Sequence, residues 1–245
     1  MNIAPVDTGP DEIAGHIARI PTETLEDELD RGGYAVLPSL VSPRASNALV
    51  ASYDDSTGFR RRIVMERHGF GRGEYQYYDY PLPLIVDALR TAMYARLATI
   101  ANRWNAALGD DARFPPMHEA FLARCRDAGQ TRATPLVLRY GAGDYNCLHQ
   151  DLYGEHVFPL QLAVLLAEPG RDFTGGELVL TEQRPRRQSR VTVVPLRQGD
   201  GVVFAVRHRP VRGTRGTYRV AMRHGVSTVH AGRRHTLGII FHDAA

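Results

Sequence analysis

From Thr134 to the C-terminus the sequence is written in short, β-branched segments, each bounded by Gly, Pro or Asp. They are Pro135–Tyr140, Phe158–Ala167, Gly176–Thr181, Arg190–Pro195, Gly201–Val206, Tyr218–His224 and Thr236–Phe241. Many short strands recurring at roughly 8–15 residues read as a β-sandwich or barrel. The first 133 residues have another texture. Leu84, Val86, Leu89, Met93, Leu97, Ile100 and Trp104 recur near helical spacing and predict a long amphipathic helix from Leu84 to Leu108. A helix begins at Thr24 and stops at Gly32-Gly33, Tyr34–Leu37 is a strand, and Ser42-Pro43 opens a helix with Ser as N-cap and Pro at N1. Pro115-Pro116 precedes a helix through Cys125 that ends near Gly129, and residues 1–21 read as a loose lead-in. The expected class is α+β. Residues 1–133 form a supporting region that does not fold alone, and residues 134–245 form the β core.

Residues 59–83 interleave arginines and tyrosines around three glycines. They read as a hairpin that packs its tyrosines on the core, with a substrate-facing lid as the alternative. No apolar stretch approaches the ~18–20 residues of a membrane span. The start, Met1 to Asp7, lacks the basic and apolar regions of a signal peptide. Cys125 and Cys147 are the only cysteines, which implies no disulfide framework and makes the reducing cytoplasm the expected location.

Charge is informative through its distribution. All 30 basic side chains are Arg. Residues 181–245 carry 13 Arg against three acids, Glu182, Asp200 and Asp243, whereas the first 180 residues carry 17 Arg against 24 acids. A basic C-terminal part implies an anionic partner; a solvated face neutralised by acids of the same chain is the alternative.

The chemistry centres on His149-Gln150-Asp151. In a strand, residues i and i+2 share a face. An imidazole and a carboxylate so placed are two-thirds of the 2-His-1-carboxylate set that holds non-haem Fe(II); Gln150 then points to the opposite face. The residues alone leave the third ligand open among His156, His208, His224, His230, His235 and His242. His224 ends one strand, and Arg234 and Thr236 open the next on a common face. In that arrangement the three converge on one small dicarboxylate, which Arg pairs bidentately through its planar fork. His230, His235 and His242 read as structural or surface groups. Asp144 and Asn146 read as rim residues.

Four motifs in order carry a family resemblance. Tyr140-Gly141-x-Gly143, Tyr145 and His149-x-Asp151 resemble the first strand pair of prolyl 4-hydroxylases. Thr174-Gly175-Gly176-Glu177-Leu178 resembles their glycine-rich turn, and Gln198 to Phe204 resembles their K-G-D-x-x-x-F strand. His224, followed ten residues later by Arg234, fits the distal His and the 2-oxoglutarate anchor; Arg234 with Thr236 is closer to the R-x-S/T pattern of other members. Over about residues 134–243 the chain resembles Fe(II)/2-oxoglutarate-dependent dioxygenases with a double-stranded β-helix (jelly-roll) core. Its C-terminal run resembles a bacterial oxygenase family provisionally labelled for oxidative demethylation of damaged DNA. The R-x-x-x-x-x-R ending of AlkB proteins is absent, since no Arg follows Arg234.

The resemblance implies Fe(II) on His149, Asp151 and His224, and 2-oxoglutarate held by Arg234, Thr236 and Tyr140. O2 is the oxidant and ascorbate a supporting reductant. Decarboxylation to succinate and CO2 is then coupled to hydroxylation of a substrate C–H bond. Three readings of the partner follow. A nucleic-acid oxygenase would use Arg207, Arg209, Arg212, Arg215 and Arg219, with Arg60, Arg61 and Arg62, against phosphates. A prolyl-hydroxylase-like enzyme would act on a protein side chain or a small metabolite. A non-catalytic jelly-roll binding module is the third.

Overall fold

The computed structural model of the chain describes residues 9–55, 57–214 and 216–245. The N-terminal part contributes helices α1 (Pro10–Ala18), α2 (Thr22–Gly32), α3 (Pro43–Ala51), α4 (Leu84–Ala107) and α5 (His118–Asp127). It also contributes strands β1 (Tyr34–Leu37), β2 (Phe59–Val64), β3 (Gly71–Arg72) and β4 (Glu74–Tyr78). The remainder is β5 (Leu136–Tyr140), β6 (Tyr145–His149), β7 (Leu160–Leu165), β8 (Phe173–Gly175), β9 (Leu178–Gln183) and β10 (Arg190–Val194). It continues with β11 (Gly201–Ala205), β12 (His208–Gly213), β13 (Gly216–Val226), β14 (Val229–Gly232) and β15 (Arg234–Ile240).

Two antiparallel sheets face each other as a jelly roll. The larger runs β1-β11-β7-β15-β5-β4-β2; the smaller runs β10-β9-β13-β6-β3, with β12 also paired to β13. Strands from before residue 134 extend both sheets: β1 pairs with β11, β4 with β5 and β3 with β6. The larger sheet obeys the two-residue period of a strand buried on both sides. On β7, Leu160, Leu162 and Val164 join the helix-side core, while Gln161 and Ala163 face the interior of the roll. On β15, Leu237 and Ile239 face the helices, while Arg234, Thr236 and Gly238 face inward.

Helix α4 covers the outer face. Val86, Leu89, Met93, Leu97, Ile100 and Trp104 are buried, each contributing about 1.5–3 kcal/mol through withdrawn apolar surface. Leu84 departs from the expected stripe: it is the first helical residue and is exposed. Buried Arg90 reaches from α4 to the end of β15, donating to Ile240 O at 2.9 Å, His242 O at 3.1 Å and Asp243 Oδ1 at 2.8 Å.

Three local expectations are corrected. The segment expected to be a loose lead-in contains α1, whose Ile13 and Ile17 pack into the core beside α4; one buried stripe on a short helix is too little periodicity to stand out. The helix expected from Thr24 begins at Thr22, with Pro21 at its N-cap. Arg209, expected among the phosphate contacts, is instead built into β12 opposite Val220 of β13. Met1 to Asp7, expected not to be a signal peptide, lies outside the described residues. Among the described residues no helix is long and apolar enough to cross a membrane.

Candidate metal and dicarboxylate site

A cavity of about 340 Å³ opens between the sheets, and His149, Asp151, His224, Arg234, Thr236 and Tyr140 all line it. The smaller sheet supplies the histidines: His149 ends β6 and lies directly across from His224 on β13. Their ring centroids are 4.1 Å apart. Asp151 is not in the strand, as the same-face argument had assumed, because β6 ends at His149. The chain runs on without strand pairing and still brings the carboxylate to the histidines. Asp151 Oδ1 lies 3.6 Å from His149 Nε2, and Oδ2 lies 3.3 Å from His224 Nε2. One donor atom from each of the three residues lies within 4.8 Å of the others.

Several contacts fix these groups. His149 Nδ1 is 2.8 Å from Cys147 O, which orients the ring so that Nε2 faces Asp151. The Tyr153 hydroxyl donates to Asp151 Oδ1 at 2.8 Å. Phe204 packs on His224 with ring centroids 4.7 Å apart. Gln150 donates to Met222 O at 2.7 Å, tying the segment after β6 to β13. Burial, then the His224 ring, lowers the pKa of His149 and favours the neutral imidazole that binds a metal. Burial pushes the Asp151 carboxyl up, but hydrogen bonding and charge from His224, with His149 and Tyr153, outweigh it and hold the group well below its ordinary value. Two imidazoles and an ionised carboxylate form a donor set suited to Fe(II).

At the other end Arg234 begins β15, opposite Tyr140 of β5. Its side chain is enclosed, with 2 % of the residue exposed. NH1 donates to Thr236 Oγ1, and Nε has no partner. Among the described residues no carboxylate lies within 4.0 Å of this guanidinium. Burial pulls its pKa down to about 10, against smaller upward effects from Tyr140 and Glu177. The Tyr140 ring centroid is 5.6 Å from the guanidinium carbon, and the Tyr140 hydroxyl accepts from Asn146 Nδ2 at 3.3 Å. Gly176, at φ +64°, makes room: a Cβ there would meet Val229 Cγ2 at 2.8 Å and Arg234 Cδ at 3.0 Å. An enclosed cation with unspent donors fits a small carboxylate ligand.

The other histidines take no part in this group. His235 is buried against Tyr53, with ring centroids 5.9 Å apart; His242 accepts at Nδ1 from Phe158 N; His230 is exposed on β14. Asp144 accepts from Gly141 N at 2.8 Å and shapes the turn before β6. Sequence reasoning missed Tyr153 and Gln161, both of which line the cavity. Tyr153 stands two residues after Asp151, and Gln161 is the polar residue in the apolar run Leu160–Leu165. The 59–83 hairpin buries Tyr77 and Tyr78 as expected, yet it also presents Phe70, 48 % exposed, to the cavity.

The expected phosphate contacts divide. Arg209 is corrected: it is 1 % exposed, ion-paired to Glu182, and donates to Asp30 O at 2.9 Å. Burial beside a cross-strand carboxylate removes it from any surface. Arg207, Arg212 and Arg219 are exposed, and Arg215 lies outside the described residues. Arg60 donates to Ala133 O and Arg62 pairs with Glu74, leaving Arg61 exposed between them.

The comparisons with known proteins agree with this architecture. The model of the Oxygenase-NA family, described as oxygenases catalysing oxidative methylation of damaged DNA, matches residues 73–244. An uncharacterised protein of Mycobacterium tuberculosis is 52% identical over 165 residues, which are 67% of this chain and 71% of that protein. A prolyl hydroxylase from Trichoplax adhaerens, solved with a peptide of the hypoxia inducible factor oxygen degradation domain, superposes with a TM-score of 0.58. It is 13% identical, and the match covers 94% of this chain and 92% of that one. A 2OG-Fe(II) oxygenase family protein from Burkholderia pseudomallei gives a TM-score of 0.50 at 15% identity, covering 99% of this chain and 96% of that one.

Proposed function

The chain belongs to the oxygenase family matched over residues 73–244, and from that premise we propose that it is an Fe(II)- and 2-oxoglutarate-dependent dioxygenase that hydroxylates a substrate C–H bond. The observation that carries this reading is the enclosed, unneutralised Arg234 in the same cavity as His149, Asp151 and His224. His149, Asp151 and His224 hold the metal. Arg234 takes the far carboxylate of 2-oxoglutarate, Thr236 sits against its guanidinium, and Tyr140 closes that end. Bound iron supplies the oxidising chemistry, with 2-oxoglutarate and O2 consumed and succinate and CO2 released. Asp151 keeps its charge for the metal because Tyr153 and His224 hold it ionised. Phe204, Leu136, Leu138 and Ala163 keep the reacting space apolar and limit water.

Alkylated nucleic acid is the proposed substrate, in keeping with the family's description. Exposed Arg207, Arg212 and Arg219 stand ready for phosphates, and a base must leave its stack to reach so recessed a centre. A hydroxylase of a protein side chain or metabolite is the second reading. It is favoured by the apolar rim, where Phe70 and Leu148 are exposed and line the cavity.

The deciding experiment measures succinate formed under air with Fe(II), 2-oxoglutarate and ascorbate. It compares no added substrate, methylated single-stranded DNA and proline-containing peptides. Stimulation by methylated DNA alone, with loss of the methyl group, supports the first reading; stimulation by peptides alone transfers the assignment to the second. No iron-dependent succinate in any arm, or activity surviving His224→Ala, defeats the dioxygenase assignment. DNA affinity should also fall steeply between low and physiological salt.

A further inference from the structure

A second cavity, of about 550 Å³, shares no lining residue with the first. One stretch of backbone runs between them. Asp151 and Tyr153 line the first, while Leu152 and Gly154, which alternate with them, line the second. The remaining walls come from the end of α4, from α5 and from the β12–β13 pair.

The second cavity is rich in cations. Arg124 comes from α5, Arg207 stands just before β12, and Arg219 lies on β13. All three are exposed. Arg124 Nη1 donates to Arg113 O at 2.6 Å and Arg219 Nη2 to Leu108 O at 2.9 Å, so a backbone carbonyl holds each guanidinium and further donors stay unspent. The Arg207 guanidinium has no protein partner among the described residues, and no carboxylate among them pairs with any of the three. Asp110 and Glu155 line the same cavity, but both are exposed, and Asp110 Oδ1 already accepts from Ala112 N at 2.9 Å. Between the cations sits His208, whose pKa is lowered by burial and then by the charges of Arg207 and Arg219.

The rest of the lining has another character. Phe114, Phe121 and Val206 are buried there, and the two rings meet edge to face with centroids 5.3 Å apart. Asn105 and His156 add an amide and an imidazole. A cavity of this size that joins an apolar lining to a few convergent polar groups is suited to a small organic ligand. Three guanidiniums from separate elements match the oxygens and charge of a phosphate. Aromatic and apolar surface beside an amide and an imidazole suits a heterocycle.

We propose that this second cavity binds a nucleotide, free or as one unit of a strand. Its phosphate sits among Arg124, Arg207 and Arg219, and its base lies against the Phe114 side. The site narrows the phosphate contacts suggested above to Arg207 and Arg219, leaves Arg212 outside, and adds Arg124. It stands without the dioxygenase reading, because none of its residues holds metal or 2-oxoglutarate.

The test titrates the full chain, free of metal, by calorimetry at low salt. The probes are one purine and one pyrimidine nucleoside 5′-monophosphate, the matching nucleosides, inorganic phosphate and an unmethylated single-stranded oligodeoxynucleotide. A monophosphate or the strand should bind more tightly than inorganic phosphate or the nucleosides. Arg124→Gln and Arg207→Gln should each weaken that binding about tenfold, whereas Arg126→Gln, exposed on α5 outside the cavity, should not change it. All three variants should keep the wild-type melting temperature and, with Mn(II) added under anaerobic conditions, the wild-type affinity for 2-oxoglutarate. Binding of the monophosphates identifies a free nucleotide as the source, and binding of the strand alone identifies a polynucleotide. No binding of either, inorganic phosphate binding as tightly as both, or equal losses in Arg124→Gln and Arg126→Gln overturns the proposal. Loss of 2-oxoglutarate affinity in wild-type protein would instead count against the dioxygenase reading and leave this site untouched.

Discussion

The hydroxyl of Tyr153 donates to Asp151 Oδ1 at 2.8 Å, two residues along a segment that carries no strand pairing. This bond is what holds the carboxylate toward His149 and His224 after β6 has ended. Such supporting bonds typically change metal affinity 10–100-fold when removed. Tyr153→Phe is expected to weaken Mn(II) or Fe(II) binding by that factor while the fold persists, as measured by metal titration and circular dichroism. Metal affinity equal to wild type would show that the backbone after β6 alone positions Asp151.

Arg234 should behave oppositely toward stability and toward the co-substrate. A charge-assisted pair is worth roughly 1.5–3 kcal/mol, so Arg234→Met should raise the 2-oxoglutarate KM by about 10–100-fold. The ligand-free protein should not be destabilised, because an enclosed cation without a carboxylate is itself unfavourable. Steady-state kinetics and thermal denaturation of one preparation check both halves. An unchanged KM moves the anchor elsewhere.

The Arg90–Asp243 pair is the contrasting case. Both partners are buried, and the guanidinium also serves Ile240 O and His242 O. Removing one member leaves an uncompensated charge, at a cost of about 3–5 kcal/mol. Asp243→Ala should show this loss in urea denaturation. The double variant Arg90→Met with Asp243→Ala should be less unstable than the two single losses added together. Strict additivity would mean the two charges do not act as a pair.

Acid stability should reflect His118. Burial, with a smaller effect from Arg90, lowers its pKa from 6.5 to about 3, against an opposing hydrogen bond to Phe241 O. The unfolded chain therefore binds a proton at pH values where the folded one does not. Stability from this group is complete above about pH 6.5 and is lost as pH falls toward 3. His118→Gln should flatten the slope of unfolding free energy against pH in that window. A slope identical to wild type would assign the acid sensitivity to other groups, His242 first among them.

Much of the core was legible because it is local. Short β-branched runs bounded by Gly, Pro or Asp marked β5, β7 and β15, and the Ser42-Pro43 start delivered its cap, with Ser42 Oγ accepting from Ala45 N at 3.2 Å. β12 was absent from the expected strands because its arginines and Pro210 form no apolar run. Its place in the sheet comes from pairing with β13, which sequence pattern does not reveal. Helix α1 was hidden because its single stripe gains its meaning from α4. In the site, His149, Asp151, His224, Arg234 and Thr236 were named from spacing and motif order, and all five line one cavity. Tyr153 and Gln161 were not, since a tyrosine in an irregular segment and a glutamine in a strand acquire roles only from what faces them.

The arginines divide the two kinds of information most sharply. The sequence by itself determined their number, their concentration after residue 181 and the placement of Arg234 two residues before Thr236. It marked Arg234 as an anchor and Arg209 as a phosphate contact, but not that both are buried in β-strands and only one is neutralised. The tertiary structure decided that. Strand β9 brings Glu182 against Arg209 from 27 residues away, and β12 becomes a closed structural element. Arg234 faces a cavity instead, with a hydroxyl, two aromatic rings and no acid beside it among the described residues. Charge neutralisation is a property of neighbours in space, and those neighbours come from strands distant in the chain.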